Sequence, residues 1–326
     1  VPTLPFLMIG MVGGAILRAH GDAKRAMMAT IYGGLVNAVL DPILIFGLDL
    51  ELTGAALASV AARLTIAAVS LSPIIKHYGG LVKPDTRDLM LDLRPIFALA
   101  FPAILTQLAT PIGSAYVTRS MAEYGEAAVA GMAIVGRLTP IAFGVLFALS
   151  GAVGPIIGQN YGAGQHDRVR GGFLAGISFV GMFVAFMTAL LYLLRAPIAD
   201  IFNADGITRE LVYLFCGPLA LVFFFNGLLF VANASFNNLG HPYYSTWLNW
   251  GRHTIGTIPL VMLGAAWYGA AGVMIGQAVG GIMFGLLSAW LAWRVMSKVE
   301  SCSVEVNKPA PFAREARQMQ HGSWKR

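Results

Sequence analysis

One acidic residue, Asp41, lies well inside a long apolar run of the sequence, residues 26–48. A charged aspartate inside a bilayer costs ~2.5–3.5 kcal/mol on insertion scales, so it must be protonated, be paired or face a polar cavity. Asn37 lies one helical turn earlier, and Pro42 leaves the carbonyl of Ala38 without its helical donor. Because closing a cavity would shift the proton affinity of this carboxyl, Asp41 and Asn37 form a candidate proton-binding site. The alternative is an aspartate near a helix end that accepts hydrogen bonds from loop amides.

Other polar side chains within apolar runs could line a second site. Arg63 and Arg137 are charged, and each either pairs with a carboxylate or a free carbonyl, or extends to the membrane surface. Pro111 frees the carbonyl of Gln107 in a helix that a second proline also bends. Asn226 follows three phenylalanines and can bond a ligand or a neighbouring helix.

The composition of the whole chain is that of a membrane protein. Of its 326 residues, 57% are hydrophobic and 12% are charged, whereas a soluble domain has about 25% charged residues. The sequence has no Walker-type phosphate loop, no HExxH or GxSxG motif and no cluster of Cys and His. These absences argue against an enzyme, an ATP-driven pump or a bound cofactor. The net charge of +6 sets orientation through the loops and does not indicate a nucleic-acid partner.

Nine stretches are apolar enough to cross a bilayer, which takes about 20 residues. They are residues 1–17, 26–48, 53–75, 95–118, 127–157, 171–194, 211–236, 242–266 and 269–293. Basic residues are concentrated in every second loop, for example Lys83 and Arg87 in the loop after the third stretch. This pattern marks these loops as cytoplasmic. The fold class predicted is therefore an all-α, multi-pass integral membrane protein with about nine transmembrane helices and a cytoplasmic carboxy-terminal tail. Arg252, near the head of its helix, is counted with the loop.

An internal repeat links the two ends of this helical array. Pro42 pairs with Pro259, and Gly54 pairs with Gly269, when the first and last three spans are aligned. This pairing predicts a parallel pseudo-repeat of six helices plus six, whose halves enclose a central cleft. Three further helices are then expected before the first residue, so that the chain holds the last nine. The alternative is a chance similarity among helices rich in Gly and Ala.

The repeat and the loop charges divide the chain into four predicted parts. The first is a partial amino-terminal bundle of three helices, and the third is a complete six-helix bundle. A cytoplasmic linker joins them, and a mobile cytoplasmic tail follows because its sequence is polar and basic. In chain order the parts span residues 1–76, 77–94, 95–296 and 297–326.

Several glycine-rich motifs resemble those of the multidrug and toxic compound extrusion (MATE) transporters. They are GQNYGAG at 158–164, DRV at 167–169, RAHGDAK at 18–24, NAVLDP at 37–42 and GAA at 54–56. The resemblance runs from residue 1 to about 296. It implies two six-helix bundles, of which this chain would hold helices four to twelve.

Within this family, the segment from Asn37 to Pro42 resembles the DinF-like branch. That resemblance places Asn37 and Asp41 in a proton-linked site of the amino-terminal bundle, with Ser59 where a Thr is usual. The partner Asp would lie in the expected preceding helices. The acidic residues of the NorM-like cation site appear here as Thr110 and Asn226, which argues against a Na⁺ site in the second bundle. Gln107, Thr110, Arg137 and Asn226 are the candidates for a cavity there.

The resemblance implies a transporter of the inner (plasma) membrane that exports amphipathic or cationic organic compounds in exchange for ions. H⁺ is the expected coupling ion, and Na⁺ is the alternative. The expected partners are small organic substrates and the lipid bilayer, and the chain is expected to be a monomer. A flippase for lipid-linked sugars would be favoured by several intramembrane Arg or Lys residues. A membrane scaffold without transport would be favoured by the lack of a cavity.

Overall fold

In this computed structural model, the structure describes residues 3–78 and 86–302, with side chains over 3–78 and 92–297. No strand occurs within these ranges. Part of the predicted linker (79–85) and most of the predicted tail (303–326) lie outside the described residues. The helices are α1 Leu4–Ala19, α2 Ala23–Pro42, α3 Glu51–His77, α4 Thr86–Ala122, α5 Glu126–Gly162, α6 His166–Ile201, α7 Gly206–Leu214, α8 Ala220–Asn238, α9 Pro242–His253 and α10 Ile258–Cys302. Short π-helical segments, Ile43–Gly47 and Phe215–Leu219, follow α2 and α7.

The prediction of an all-helical membrane protein is confirmed. Among the described residues, seven helical stretches are long and apolar enough to cross a membrane. The last of them, Pro242–Ser297, includes both α9 and α10, and Leu4–Ala19 is apolar but shorter. The count of nine spans stays a prediction.

Compact packing separates two units, Val1–Met90 and Leu91–Arg326. Their boundary falls inside the predicted linker 77–94. Within the predicted linker, α4 already begins at Thr86 and runs through Pro95, and the bounds of the linker stay a prediction. Prolines are tolerated inside membrane helices, where neighbouring groups satisfy the backbone that they free.

The first unit is held together by close approaches at small residues. A methyl group on Gly33 of α2 would overlap the side chain of Ile66 in α3, and one on Gly54 of α3 would meet the carbonyl of Leu44. The turn between α1 and α2 is tied to the end of α3, because the Tyr78 hydroxyl donates to Asp22 at 3.2 Å. Asp22 also caps α2 by accepting from the backbone N–H of Arg25 at 3.2 Å.

The second unit has its core between α5, α6, α8 and α10. The rings of Phe143 in α5 and Phe223 in α8 stack with centroids 4.0 Å apart, and Phe173 and Phe236 are fully buried beside this core. The GQNYGAG motif ends α5 and turns the chain into α6 at Gly164, whose φ of +70° suits glycine.

The chain reverses direction within α10 at Gly269, whose φ of +59° and ψ of −137° are not helical. The two arms of the resulting hairpin, 258–268 and 270–302, pack backbone against backbone. A methyl group on Gly272 would overlap the carbonyl of Gly264, and one on Gly276 would overlap that of Leu260. Side-chain-free contacts of this kind are typical of tightly packed membrane helices.

Candidate functional site

The helical path is interrupted between α9 and α10. Because α9 has 12 residues, it is about 18 Å long, which is less than the hydrocarbon thickness of about 30 Å. The break therefore lies at membrane depth. Two threonine hydroxyls donate to carbonyls of the last turn of α9. Thr254 donates to Trp250 at 2.6 Å, in addition to its own backbone N–H, and Thr257 donates at 2.8 Å to the carbonyl of Arg252, which the helix leaves free. Arg252 and His253 thus lie at the carboxy-terminal end of the short helix α9.

Hydrogen bonds from α9 to α4 fix the position of this helix end. The Thr246 hydroxyl donates to the backbone carbonyl of Pro102 at 2.9 Å. The Trp250 indole donates to the carbonyl of Leu105 at 2.9 Å, one turn further along both helices. The ring of His253 packs directly against Gly113 of α4, where any side chain would overlap it. These contacts hold the last turn of α9 against the part of α4 that contains Pro102 and Pro111.

A cavity of about 1090 Å³ lies inside the second unit, walled by α4, α5, α8, α9 and α10. One side of it is formed by α8, whose polar and aromatic residues alternate at helical spacing. The lining residues of this stripe are Phe223, Asn226, Phe230, Asn233 and Asn237. The wall is therefore amphipathic, with ring surfaces next to amide groups along one helix.

Among the described residues, Arg252 is the charged side chain that lines this cavity, and no described Asp, Glu or Lys lines it. Over the described part of the chain, its guanidinium has no ion pair or hydrogen bond. Its charge is instead favoured by the carbonyl end of α9, which carries partial negative charge. The cavity is thus electropositive at this end.

Buried polar atoms without a hydrogen-bond partner cluster at the same cavity. The Asn226 Oδ1, Asn233 Oδ1 and His253 Nδ1 atoms are of this kind within the described residues. Gly281 keeps open the space between the charge and one of these atoms. A methyl group on Gly281 would lie 3.4 Å from Asn226 Oδ1 and 4.0 Å from Arg252 Nε. Because native proteins rarely leave buried acceptors unpaired, such a cluster indicates a ligand site.

The sequence candidates for the second bundle separate into two groups. Gln107, Thr110 and Asn226 line the cavity, whereas Arg137 is exposed and does not line it. Sequence reasoning missed Arg252, which was counted with a loop, and His253, which is 6% exposed. The signal that could have found them is the TIGTIP segment after them, where two threonines, a glycine and a proline interrupt an apolar run.

The candidates of the first unit lie at one level of a helix pair. Because α2 and α3 are antiparallel and meet at Gly33 with Ile66 and at Gly54 with Leu44, the register places Ser59 opposite the turn between Asn37 and Asp41. All three are partly buried, and the described residues show no hydrogen bond among them. The helix continues past Pro42 as a π-helical turn, a common feature of functional sites.

Arg63, the charged residue singled out in the third apolar stretch, contacts none of these three residues in the described hydrogen bonds. The guanidinium of Arg63 donates to the Thr3 hydroxyl at 2.6 Å. The sequence allowed Arg63 to pair with a carboxylate or a free carbonyl, or to extend to the membrane surface. The partner that the structure shows is a hydroxyl and not a carboxylate. Among the described residues, no three His, Cys, Asp or Glu side chains group as a metal-ligand set.

The MatE family model matches residues 102–263, which include most of the cavity wall. The FAD transporter of Shewanella oneidensis is 27% identical over 92% of this chain and 68% of that protein. The multidrug export protein MepA of Staphylococcus aureus is 24% identical over 83% of this chain and 60% of that protein. A mutant of the Vibrio cholerae MATE transporter VcmN superposes with a TM-score of 0.80 at 25% identity, covering 92% of this chain and 69% of that chain. The chain thus spans about two thirds of the length of these proteins.

Proposed function

This chain belongs to the MATE family of transporters, and on that premise we propose that it is a secondary active transporter that exports amphipathic organic compounds in exchange for protons. It is a multi-pass membrane protein and not an enzyme. We further propose that it resides in the inner membrane as a monomer, with its carboxy-terminal tail in the cytoplasm. The Na⁺ alternative is disfavoured in the second unit, because none of its described carboxylates lines the cavity.

The observation that carries this proposal is the amphipathic cavity of the second unit. Its volume of about 1090 Å³ is at the upper end of the range for small-molecule sites, about 300–1,000 Å³. Rings such as Phe147 and Phe230, with centroids 5.1 Å apart, offer apolar surface to a ligand, and the asparagines of α8 offer hydrogen bonds. A site with these two properties suits amphipathic organic molecules.

Asp41 is the group that we propose to couple protons to this transport. It is partly buried and lies in the last turn of α2, immediately before Pro42 and the π-helical segment Ile43–Gly47. A carboxyl there can be charged when water reaches it and is favoured in the neutral form when it is enclosed. Transport is coupled if the protonated and the substrate-bound states exclude one another.

The test is Asp41→Asn in the full-length protein, measured as accumulation of a fluorescent organic substrate in everted membrane vesicles. One unit of pH gradient supports a concentration ratio of about tenfold per proton exchanged. The variant is expected to lose accumulation driven by the gradient but to keep exchange between labelled and unlabelled substrate. Asp49→Asn is the matched control, because Asp49 is exposed in the loop before α3 and has a φ of +52°, which Asn also tolerates. Gradient-driven accumulation that is equal in the two variants would contradict the coupling role.

The two alternatives from the sequence are less well supported. A scaffold without transport requires no cavity, and the second unit contains a large one. A flippase for lipid-linked sugars was expected to show several basic residues, whereas one arginine lines the cavity. The FAD transporter among the relatives makes flavin compounds suitable test substrates.

A further inference from the structure

We propose that Arg252 is an anion-binding residue and that this cavity selects aromatic organic anions, compounds that join a planar ring system to a phosphate or carboxylate. This inference rests on the proposed transport function and adds the charge of the substrate to it. It also replaces the expectation of cationic substrates for this cavity. The evidence is the balance of charge in the cavity, the arrangement of its unpaired polar atoms and the position of its aromatic wall.

The charge of the cavity is unbalanced by one positive group. Arg252 lines it, no carboxylate does, and the guanidinium has no ion pair or hydrogen bond within the described residues. An arginine at membrane depth is costly unless it pairs or faces water. An anionic ligand group would supply the missing partner, and it would do so with the short, strong hydrogen bonds that guanidinium forms with phosphate and carboxylate. A cation would meet repulsion and no compensating acid.

The anionic group of the ligand would bind in the space next to the Cα of Gly281. Both Arg252 Nε and Asn226 Oδ1 lie within 4.0 Å of the point where a methyl group on this glycine would stand. A ligand that entered this space would reach the arginine and the amide together. Because Asn226 Oδ1 is a buried acceptor without a donor, the ligand is expected to carry a hydroxyl or N–H next to its anionic group.

The ring of the ligand would lie further along the same helix. Phe223 and Phe230 are respectively one turn before and one turn after Asn226 on the cavity face of α8, and Phe147 of α5 lies beside Phe230. Aromatic ligands gain from offset or edge contacts with such rings. Asn233, one turn beyond, has a second buried acceptor without a partner, which suits further hydroxyl groups on the ligand.

The experiment compares flavin mononucleotide with riboflavin, which share their ring and hydroxyl chain and differ by one phosphate. Binding to the purified full-length protein in detergent is measured by titration of flavin fluorescence. A charge-assisted hydrogen bond is equivalent to about tenfold or more in affinity. The wild-type protein is therefore expected to bind the phosphorylated flavin about tenfold more tightly than riboflavin.

Three variants test the role of the arginine. Arg252→Gln is expected to remove the preference for the phosphorylated flavin and to leave riboflavin affinity within about twofold of the wild type. Arg252→Lys keeps the charge, and it is expected to retain most of the preference even if Arg252→Gln folds poorly. Arg137→Gln is the matched control, because Arg137 is an intramembrane arginine that does not line the cavity, and it is expected to behave as the wild type.

The proposal is overturned if the wild-type protein binds the two flavins equally or binds neither, or if Arg252→Gln retains the preference. It is also overturned if a cationic dye such as ethidium competes with the phosphorylated flavin and binds more tightly to the wild type than to Arg252→Gln. None of these outcomes affects the proposed proton-coupled export, which is tested separately through Asp41. A wrong substrate charge and a wrong transport function are therefore distinguishable.

Discussion

The indole N–H of Trp250 donates a 2.9 Å hydrogen bond to the backbone carbonyl of Leu105. This bond and the similar one from Thr246 to Pro102 join the short helix α9 to α4. Since Arg252 follows Trp250 by two residues, the bond fixes where the cavity charge is held. The position of the proposed anion site therefore depends on helix contacts outside the cavity face itself.

Thr246→Val is expected to lower thermal stability slightly. It keeps the shape of the side chain but removes the hydrogen bond to Pro102, which at about 0.6–1.7 kcal/mol for a membrane protein corresponds to a decrease in Tm of a few degrees. The measurement is thermal unfolding of the purified protein in detergent. Thr118→Val is the control, because the Thr118 hydroxyl bonds within its own helix and is exposed. Equal Tm values for the two variants would show that the bond between α4 and α9 contributes nothing.

Gly272→Ala is expected to reduce the yield of folded protein strongly. A methyl group there would overlap the carbonyl of Gly264, and neither backbone can move without separating the arms of the α10 hairpin. Size-exclusion chromatography of a fluorescent fusion measures the yield. Gly144→Ala adds the same methyl group to α5, where nothing lies within 4 Å, and wild-type yield is expected for it. A monodisperse Gly272→Ala protein at wild-type yield would contradict the close packing.

Gly281→Ala is expected to fold normally and to weaken binding of phosphorylated flavin by about tenfold, the equivalent of one charge-assisted bond. The added methyl group would be in ordinary contact with Asn226 Oδ1 at 3.4 Å and with Arg252 Nε at 4.0 Å, so it fills the space without overlap. Fluorescence titration measures the affinity. Gly136→Ala, also on the cavity wall but with nothing within 4 Å of the new methyl group, is the control. If Gly136→Ala lost more affinity than Gly281→Ala, the anionic group of the ligand would bind elsewhere than next to Gly281.

Asp22 is expected to make stability dependent on pH at the turn between α1 and α2. Burial by itself raises the pKa of this carboxyl, but the backbone N–H of Arg25, the Tyr78 hydroxyl and the charge of Arg25 together lower it below its usual value. A carboxyl with a lowered pKa in the folded state stabilises the fold above its unfolded pKa. That contribution is complete at neutral pH and is lost as pH falls below about 4.

The measurement is the Tm in detergent between pH 7 and pH 3 for the wild type and for Asp22→Asn. The variant is expected to have a lower Tm at pH 7, and the difference is expected to narrow at pH 3, where the wild-type carboxyl takes up a proton. Asp49→Asn, at an exposed loop carboxyl of the same unit, serves as the control. If the Tm difference between the wild type and Asp22→Asn stayed constant between pH 7 and pH 3, the lowered pKa assigned to Asp22 would be contradicted.

The apolar spans could be predicted from the sequence because burial in lipid requires long apolar runs. Average hydropathy does not show where a helix breaks inside such a run. The end of α9 at His253 was missed because the two threonines, the glycine and the proline that follow it carry no charge, so that the interruption is too weak to separate two helices by hydropathy. Arg252 was therefore interpreted as a loop residue.

The candidate residues also differ in how far their positions could be predicted from the sequence. Thr110 came from a family resemblance, Gln107 from its proline neighbour, and Asn226 from both its place in an apolar run and the resemblance; all three line the same cavity, from α4 and α8. Arg137 came from its charge alone, and charge alone does not fix which side of a helix faces a cavity. For Asn37, Asp41 and Ser59, the helical register accounts for their common level, while their proton-linked role stays a prediction.

Glycine contacts between the two arms of α10 leave no side chain that could slide or rotate at their junction. The connection at residues 254–257 is packed in the same way, because a methyl group on Gly256 would overlap the ring of Phe284 and one on Gly280 would overlap the carbonyl of Gly256. The end of α9 and both arms of α10 are therefore expected to move as one rigid group during transport. Arg252 and Gly281 would then keep their spacing throughout the cycle, so that release of a bound anion would require a change elsewhere in the cavity wall.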